Sequence, residues 1–100
     1  MNSHESPTYD PAADVYRARY RWSRDTPPSV AVVEIVSEVL GVGPLELDPL
    51  DSTVDADSLD ALLTPPLTKD APPLRVTFEY EGCRVVVSRT GLVEVEVETV

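Results

Sequence analysis

The chain has 100 residues, enough for one small domain and a single core with little margin. Eighteen acids against eight bases leave a net charge of −10, which argues against direct binding to nucleic acid or to anionic lipid. The one cysteine, Cys83, cannot form an internal disulfide and fits a reducing cytoplasm.

Seven of the eight bases are Arg and only Lys69 is Lys. An acidic, lysine-poor surface is what a cytosol rich in potassium salt favours. Carboxylates hold hydrated cations there, and self-repulsion is screened when the Debye length falls to about 3 Å near 1 M salt. The composition therefore carries a halophile signature, with hydrated cations expected over the acidic surface. No basic head followed by an apolar stretch marks a signal peptide, and the longest apolar run is too short to span a bilayer. The expected location is the cytoplasm, away from any membrane.

Residues 1–14 are polar, broken by Pro7 and Pro11, and have little to bury. They read as a disordered tail, and 15–100 as a single domain. His4 stands alone in that tail, whereas a metal site needs several converging ligands.

From Val15 to Trp22 the sequence alternates. Tyr16, Ala18, Tyr20 and Trp22 fall on one face, Arg17, Arg19 and Arg21 on the other, which predicts a strand. Arginines interleaved with aromatics can also form a platform for single-stranded nucleic acid. Here the two types point to opposite faces of a strongly acidic molecule.

The stretch Pro28–Leu40 predicts the main helix. Val32, Val33, Ile35, Val36, Val39 and Leu40 recur at helical spacing, and Ser29, Glu34, Ser37 and Glu38 take the other side. Pro27 and Pro28 suit a helix start. Gly41 suits the left-handed position just past its end, with Val42 placed to fold back on Val36. The loop from Val42 to Leu50 is punctuated by Pro44 and Pro49. Its Val42, Leu45, Leu47 and Leu50 are expected to pack down beside the helix.

A second, short helix is predicted within Val54–Leu63, with Asp55 as N-cap, Val54 and Leu59 as a hydrophobic staple, and Leu59, Leu62 and Leu63 as its buried edge. Thr64-Pro65-Pro66 ends it, and Pro65–Pro73 reads as a mobile connection.

Leu74–Val100 predicts a three-stranded antiparallel meander. Glu81-Gly82 fits a two-residue hairpin, which sets Tyr80 opposite Cys83, Phe78 opposite Val85 and Val76 opposite Val87, all on one face. Glu79 falls opposite Arg84 on the other face. Arg89-Thr90-Gly91 fits a three-residue turn that brings Val87 opposite Val93. The expected fold is α+β: an N-terminal strand, one long and one short helix, then the meander, with the helices on one face of the sheet. Val32, Val36, Val39, Leu59, Leu62, Val76, Phe78, Val85, Val87 and Val95 are the expected core.

The N-terminal strand can join either edge of the meander. Glu94, Glu96 and Glu98 offer its arginines more opposite charge than Glu79 and Glu81 beside Arg75 do, so pairing with Val93–Glu98 is expected. The edge then left bare is the first meander strand, and Arg75, Thr77, Glu79 and Glu81 become the candidate interaction edge for a protein partner or a second copy of the chain.

No residue set amounts to a catalytic site, so no enzymatic activity, cofactor or metal is expected. Asp48, Asp51, Asp55, Asp57 and Asp60 lack the turn glycine and closing Glu of a calcium loop. Cys83 has no nearby base and points inward in the predicted register. Asp57-Ser58-Leu59 after a V-x-x-I-V-x-E-x-L-G-V helix resembles the attachment site of an acyl carrier protein, which makes Ser58 the attachment point of an alternative, small-ligand or carrier-type reading. A carrier needs a long helix after the serine and further helices beyond, whereas Pro65-Pro66 stop this one.

Taken together, Pro28-Ser29-Val30, Val32-Val33-Glu34, Gly41-Val42, Pro44-Leu45, Pro49-Leu50, Val54-Asp55, Asp57, Leu59-Asp60-Ala61-Leu62, Phe78, Tyr80, Gly82, Val85, Val87 and Gly91 resemble the pattern of the halobacterial output domain family from about Pro28 to Val95. The resemblance implies a signalling or output role in a haloarchaeal cytoplasm. It brings no catalytic residues and no chemistry.

Overall fold

The computed structural model describes residues 7–23, 26–63 and 74–98. The predicted mobile connection, Pro65–Pro73, lies outside them. The long helix, α1, is Pro28–Leu40. It ends where Gly41 turns left-handed at φ 71°. The Gly41 N–H then donates to the Glu38 carbonyl and the Val42 N–H to that of Ser37, at 3.3 and 3.0 Å. These two bonds satisfy carbonyls that the helix itself leaves open. Val42 is nevertheless exposed. The short helix, α2, is Ala56–Leu63, and Asp55 caps it by accepting the Ser58 N–H at 3.2 Å.

The fold is α+β, with more sheet than expected. Five antiparallel strands stand in the order β1-β2-β5-β4-β3: β1 Thr8–Asp10, β2 Val15–Arg19, β3 Arg75–Tyr80, β4 Cys83–Ser88 and β5 Leu92–Val97. The meander has the register its turns predict: Tyr80 pairs with Cys83, Phe78 with Val85, Val76 with Val87, and Val87 with Val93. Glu81 and Gly82 both have positive φ, 54° and 74°, the twist a two-residue hairpin needs. Glu79 does sit opposite Arg84, but Arg84 turns to Glu96 and Glu98 at 3.8 and 3.9 Å.

The N-terminal strand joins β5, as the charge argument expects. Arg17 lies opposite Glu94 and its Nε donates to that carboxylate at 2.6 Å. The strand ends at Arg19, three residues earlier than expected. Tyr20 still bonds Gly91 through its N–H at 2.8 Å, Trp22 Nε1 donates to the Ser88 carbonyl at 3.1 Å, and the two rings stack 5.7 Å apart.

The tail expected to be disordered contributes β1. Tyr9 pairs with Tyr16, their rings lie 4.9 Å apart, and Asp10 accepts a hydrogen bond from Arg17 at 2.5 Å. A polar segment is held here by contacts with the strand that directly follows it.

The core lies between α1, α2 and one face of the sheet. Ala31, Val32, Ile35 and Val36 of α1, Leu59 and Leu63 of α2, and Cys83, Val85, Val87, Val93 and Val95 are fully buried. Three expectations need correction. Leu62 is 51 % exposed and Leu63 is the buried residue, because one step around a helix turns a side chain by about 100°. Val39, Val76 and Phe78 pack against the core but are only partly covered. In the Val42–Leu50 loop, Leu50 is buried and Leu47 half-buried, whereas Leu45 is fully exposed. A single turn of 3-10 helix at Pro44–Glu46 aims Leu45 outward, and a second at Leu50–Ser52 turns Leu50 inward.

Candidate functional site

β3 ends the sheet on one side and the three-residue β1 ends it on the other. The Arg89 N–H donates to the Leu74 carbonyl at 2.8 Å, so Leu74 turns its main chain toward β4. By antiparallel alternation Val76, Phe78 and Tyr80 do the same, and Arg75, Thr77 and Glu79 present their N–H and C=O groups to the open side. Their side chains are exposed. Among the described residues no strand pairs with that side. Three of the four residues singled out from sequence thus form one strip of six-residue strand.

Glu81, the fourth, belongs to the hairpin turn. Its carboxylate accepts the Asp48 N–H at 2.9 Å, while the Tyr80 hydroxyl donates to the Asp48 carbonyl. Burial pushes the Tyr80 phenol up from its ordinary range, with Glu81 and Asp48 adding to the shift. The loop between the 3-10 turns therefore buttresses the far end of the edge strand.

Ser58 lies exposed in the first turn of α2. The helix has eight residues, and the next described element is β3 rather than further helix. Cys83 is buried in the core, and burial, reinforced by Glu81 and Glu98, pushes its thiol up, away from the reactive thiolate. Among the described residues no three His, Cys, Asp or Glu side chains are placed to hold a metal ion, and no helix is long and apolar enough to cross a membrane.

Sequence reasoning missed a second feature. An apolar groove of about 420 Å³ runs between α1 and the segment that carries the second 3-10 turn and the start of α2. Val30 could have signalled it, as an apolar residue that the helical stripe does not absorb.

Two helices on one face of an antiparallel sheet, whose terminal strand β3 pairs on one side only among the described residues, define a small two-layer α+β module. The halobacterial output domain 1 model matches residues 24–97; this chain belongs to that family. The match takes in α1, α2 and β3–β5 and leaves β1 and β2 outside it. No curated protein and no solved structure gives a match.

Proposed function

We propose that this chain is a non-enzymatic signalling output module of a haloarchaeal cytoplasm, and that it engages a protein partner by strand addition to β3. The family supports the output role. The observation that carries the docking mode is the outward-facing main chain of Arg75, Thr77 and Glu79 at the end of the sheet. Main-chain hydrogen bonds supply affinity in strand addition, and alternate side chains supply selectivity. Arg75 and Glu79 put one charge of each sign on the same exposed face, which favours a partner strand with the opposite alternation. The buried Cys83 supports the non-enzymatic reading, since the strongest potential nucleophile of the chain is committed to packing.

Proline substitution tests this. Thr77 turns its N–H away from β4, so Thr77→Pro removes a donor only from the open edge. The Glu98 N–H donates to the Gly82 carbonyl, so by alternation that of Glu96 faces β4, and Glu96→Pro breaks a ladder bond. Thr77→Pro should abolish capture of partner from native extract at molar salt while leaving circular dichroism unchanged; Glu96→Pro should damage the fold. If a second copy is the partner, sedimentation shows a dimer that Thr77→Pro dissociates. Retained capture by Thr77→Pro would rule out the edge.

A further inference from the structure

We infer that the groove beside α1 is a second docking surface, separate from the β3 edge, and that it takes a cationic amphipathic helix of a partner protein. The groove is floored by Val30, Val33, Pro44, Leu50 and Ala56, with Asp51 on its rim. Val30 is 41 % exposed.

Charge identifies the occupant. The helical layer, residues 26–63, carries eight acids and no Lys, Arg or His, for a net −8. The sheet segments, 7–23 and 74–98, carry seven acids and six arginines, for a net −1. The acids are about as dense in one as in the other, as salt adaptation spreads them, but all six arginines lie in the sheet segments and none offsets the acids of the helical layer. Here the negative field is concentrated on the layer that holds the apolar groove, which complements a segment with apolar anchors and flanking Arg or Lys.

Hydrogen bonding identifies the conformation. Along α1 and at the start of α2 the main-chain donors of the groove are engaged: the Ser29 N–H by Asp60, the Val30 N–H by the Pro27 carbonyl, and the Ala56 N–H by Asp51. An extended segment laid along α1 would find no main-chain donors there to pair with. A helix satisfies its own backbone and brings only side chains, so it fits where a strand does not.

The test is an amide NMR titration of the full chain in about 1 M KCl, where the Debye length is short and only contact pairs contribute. The probe is a synthetic helix of about 18 residues with Leu at i, i+3, i+4 and i+7 and Arg or Lys elsewhere. Its control is a twin with Glu in place of the bases. The expected result is saturable shifts in the first turns of α1 and in Leu50–Ala56, with the acidic twin at least about tenfold weaker. Val30→Gln removes an exposed apolar contact, and Asp51→Asn removes the charge while keeping an acceptor for Ala56. Each should weaken binding about threefold or more with the remaining spectrum unchanged. Absence of shifts, equal binding of the acidic twin, or shifts confined to β3 or the outer sheet face would overturn the proposal. Shifts of the same groove amides on concentrating the protein alone would also overturn it, by making a second copy the occupant.

Discussion

Asp60 of α2 accepts two hydrogen bonds from Ser29 of α1, from the backbone N–H at 2.7 Å and from the hydroxyl at 2.8 Å. The residue at the N-cap position of α1 is Pro27, which supplies no side-chain cap. A carboxylate from another helix, thirty-one residues on in sequence, takes that place at the positive end of the α1 dipole. Asp60→Ala should cost about 1–2 kcal/mol, measured by denaturant unfolding. Asp60→Asn keeps an acceptor and should cost less. Equal midpoints for the wild type and Asp60→Ala would mean the tie contributes nothing.

Gly91 is required by a close approach rather than by its turn alone. Its φ is +101°, and a Cβ there would lie 2.0 Å from the Tyr20 carbonyl oxygen. Gly91→Ala should therefore push β2 off the β4–β5 turn, at about 2–4 kcal/mol. Gly82, at φ +74° with nothing within 4 Å, pays only for its backbone conformation, and Gly82→Ala should cost about 1–2 kcal/mol. Chemical denaturation of both variants gives the comparison.

Leu62 and Leu63 separate surface from core within one turn. Leu63→Ala should cost about 2–5 kcal/mol, and Leu62→Ala, at a 51 % exposed position, about 0.5 kcal/mol or less. Phe78 is only partly buried, so Phe78→Ala should fall at or below the lower end of the roughly 3–5 kcal/mol typical of a core Phe. Melting temperatures of the three variants rank them.

Attachment of β1 should depend on pH. The hydrogen bond from Arg17 holds the Asp10 carboxyl below its ordinary value, and it outweighs the opposing effect of desolvation. A carboxylate with a lowered folded pKa stabilises the paired state above the unfolded value, about 3.9, and loses that contribution as pH falls through the folded value. Amide exchange of Tyr9 and its neighbours should accelerate below about pH 4. Asp10→Asn should remove that pH dependence while leaving the meander amides unaffected.

Folding should need salt. With eight uncompensated acids in residues 26–63, self-repulsion is poorly screened at low ionic strength. Circular dichroism from about 0.1 to 3 M KCl should show gain of structure and a rising melting temperature. A constant melting temperature would remove the halophile reading.

Local chemistry determined much of this protein from sequence. α1 was legible from Pro28 to Leu40 because helical periodicity, Pro at one end and Gly at the other are properties of adjacent residues. The β3–β4–β5 register was legible because Glu81-Gly82 and Arg89-Thr90-Gly91 define turns, and a turn sets the pairing of the strands it joins. The place of β2 beside β5 followed from charge, since Arg17 and Glu94 are unlike and face each other. With that pairing, Arg75, Thr77 and Glu79 fall on the strand that ends the sheet. Tertiary structure decided what depends on distance in space. The polar Thr8–Asp10 becomes a strand only because Tyr16 and Arg17 lie beside it. Asp60 becomes the cap of α1 only because the two helices pack together. Leu63 rather than Leu62 is buried because the packing angle of α2, which its own sequence does not specify, selects one side of the helix. In the loop beside α1, one 3-10 turn directs Leu45 outward and the next directs Leu50 inward, where it lines the groove. Both residues are leucines in the same loop, so composition cannot distinguish them; their opposite burial is a consequence of where the backbone passes the helix.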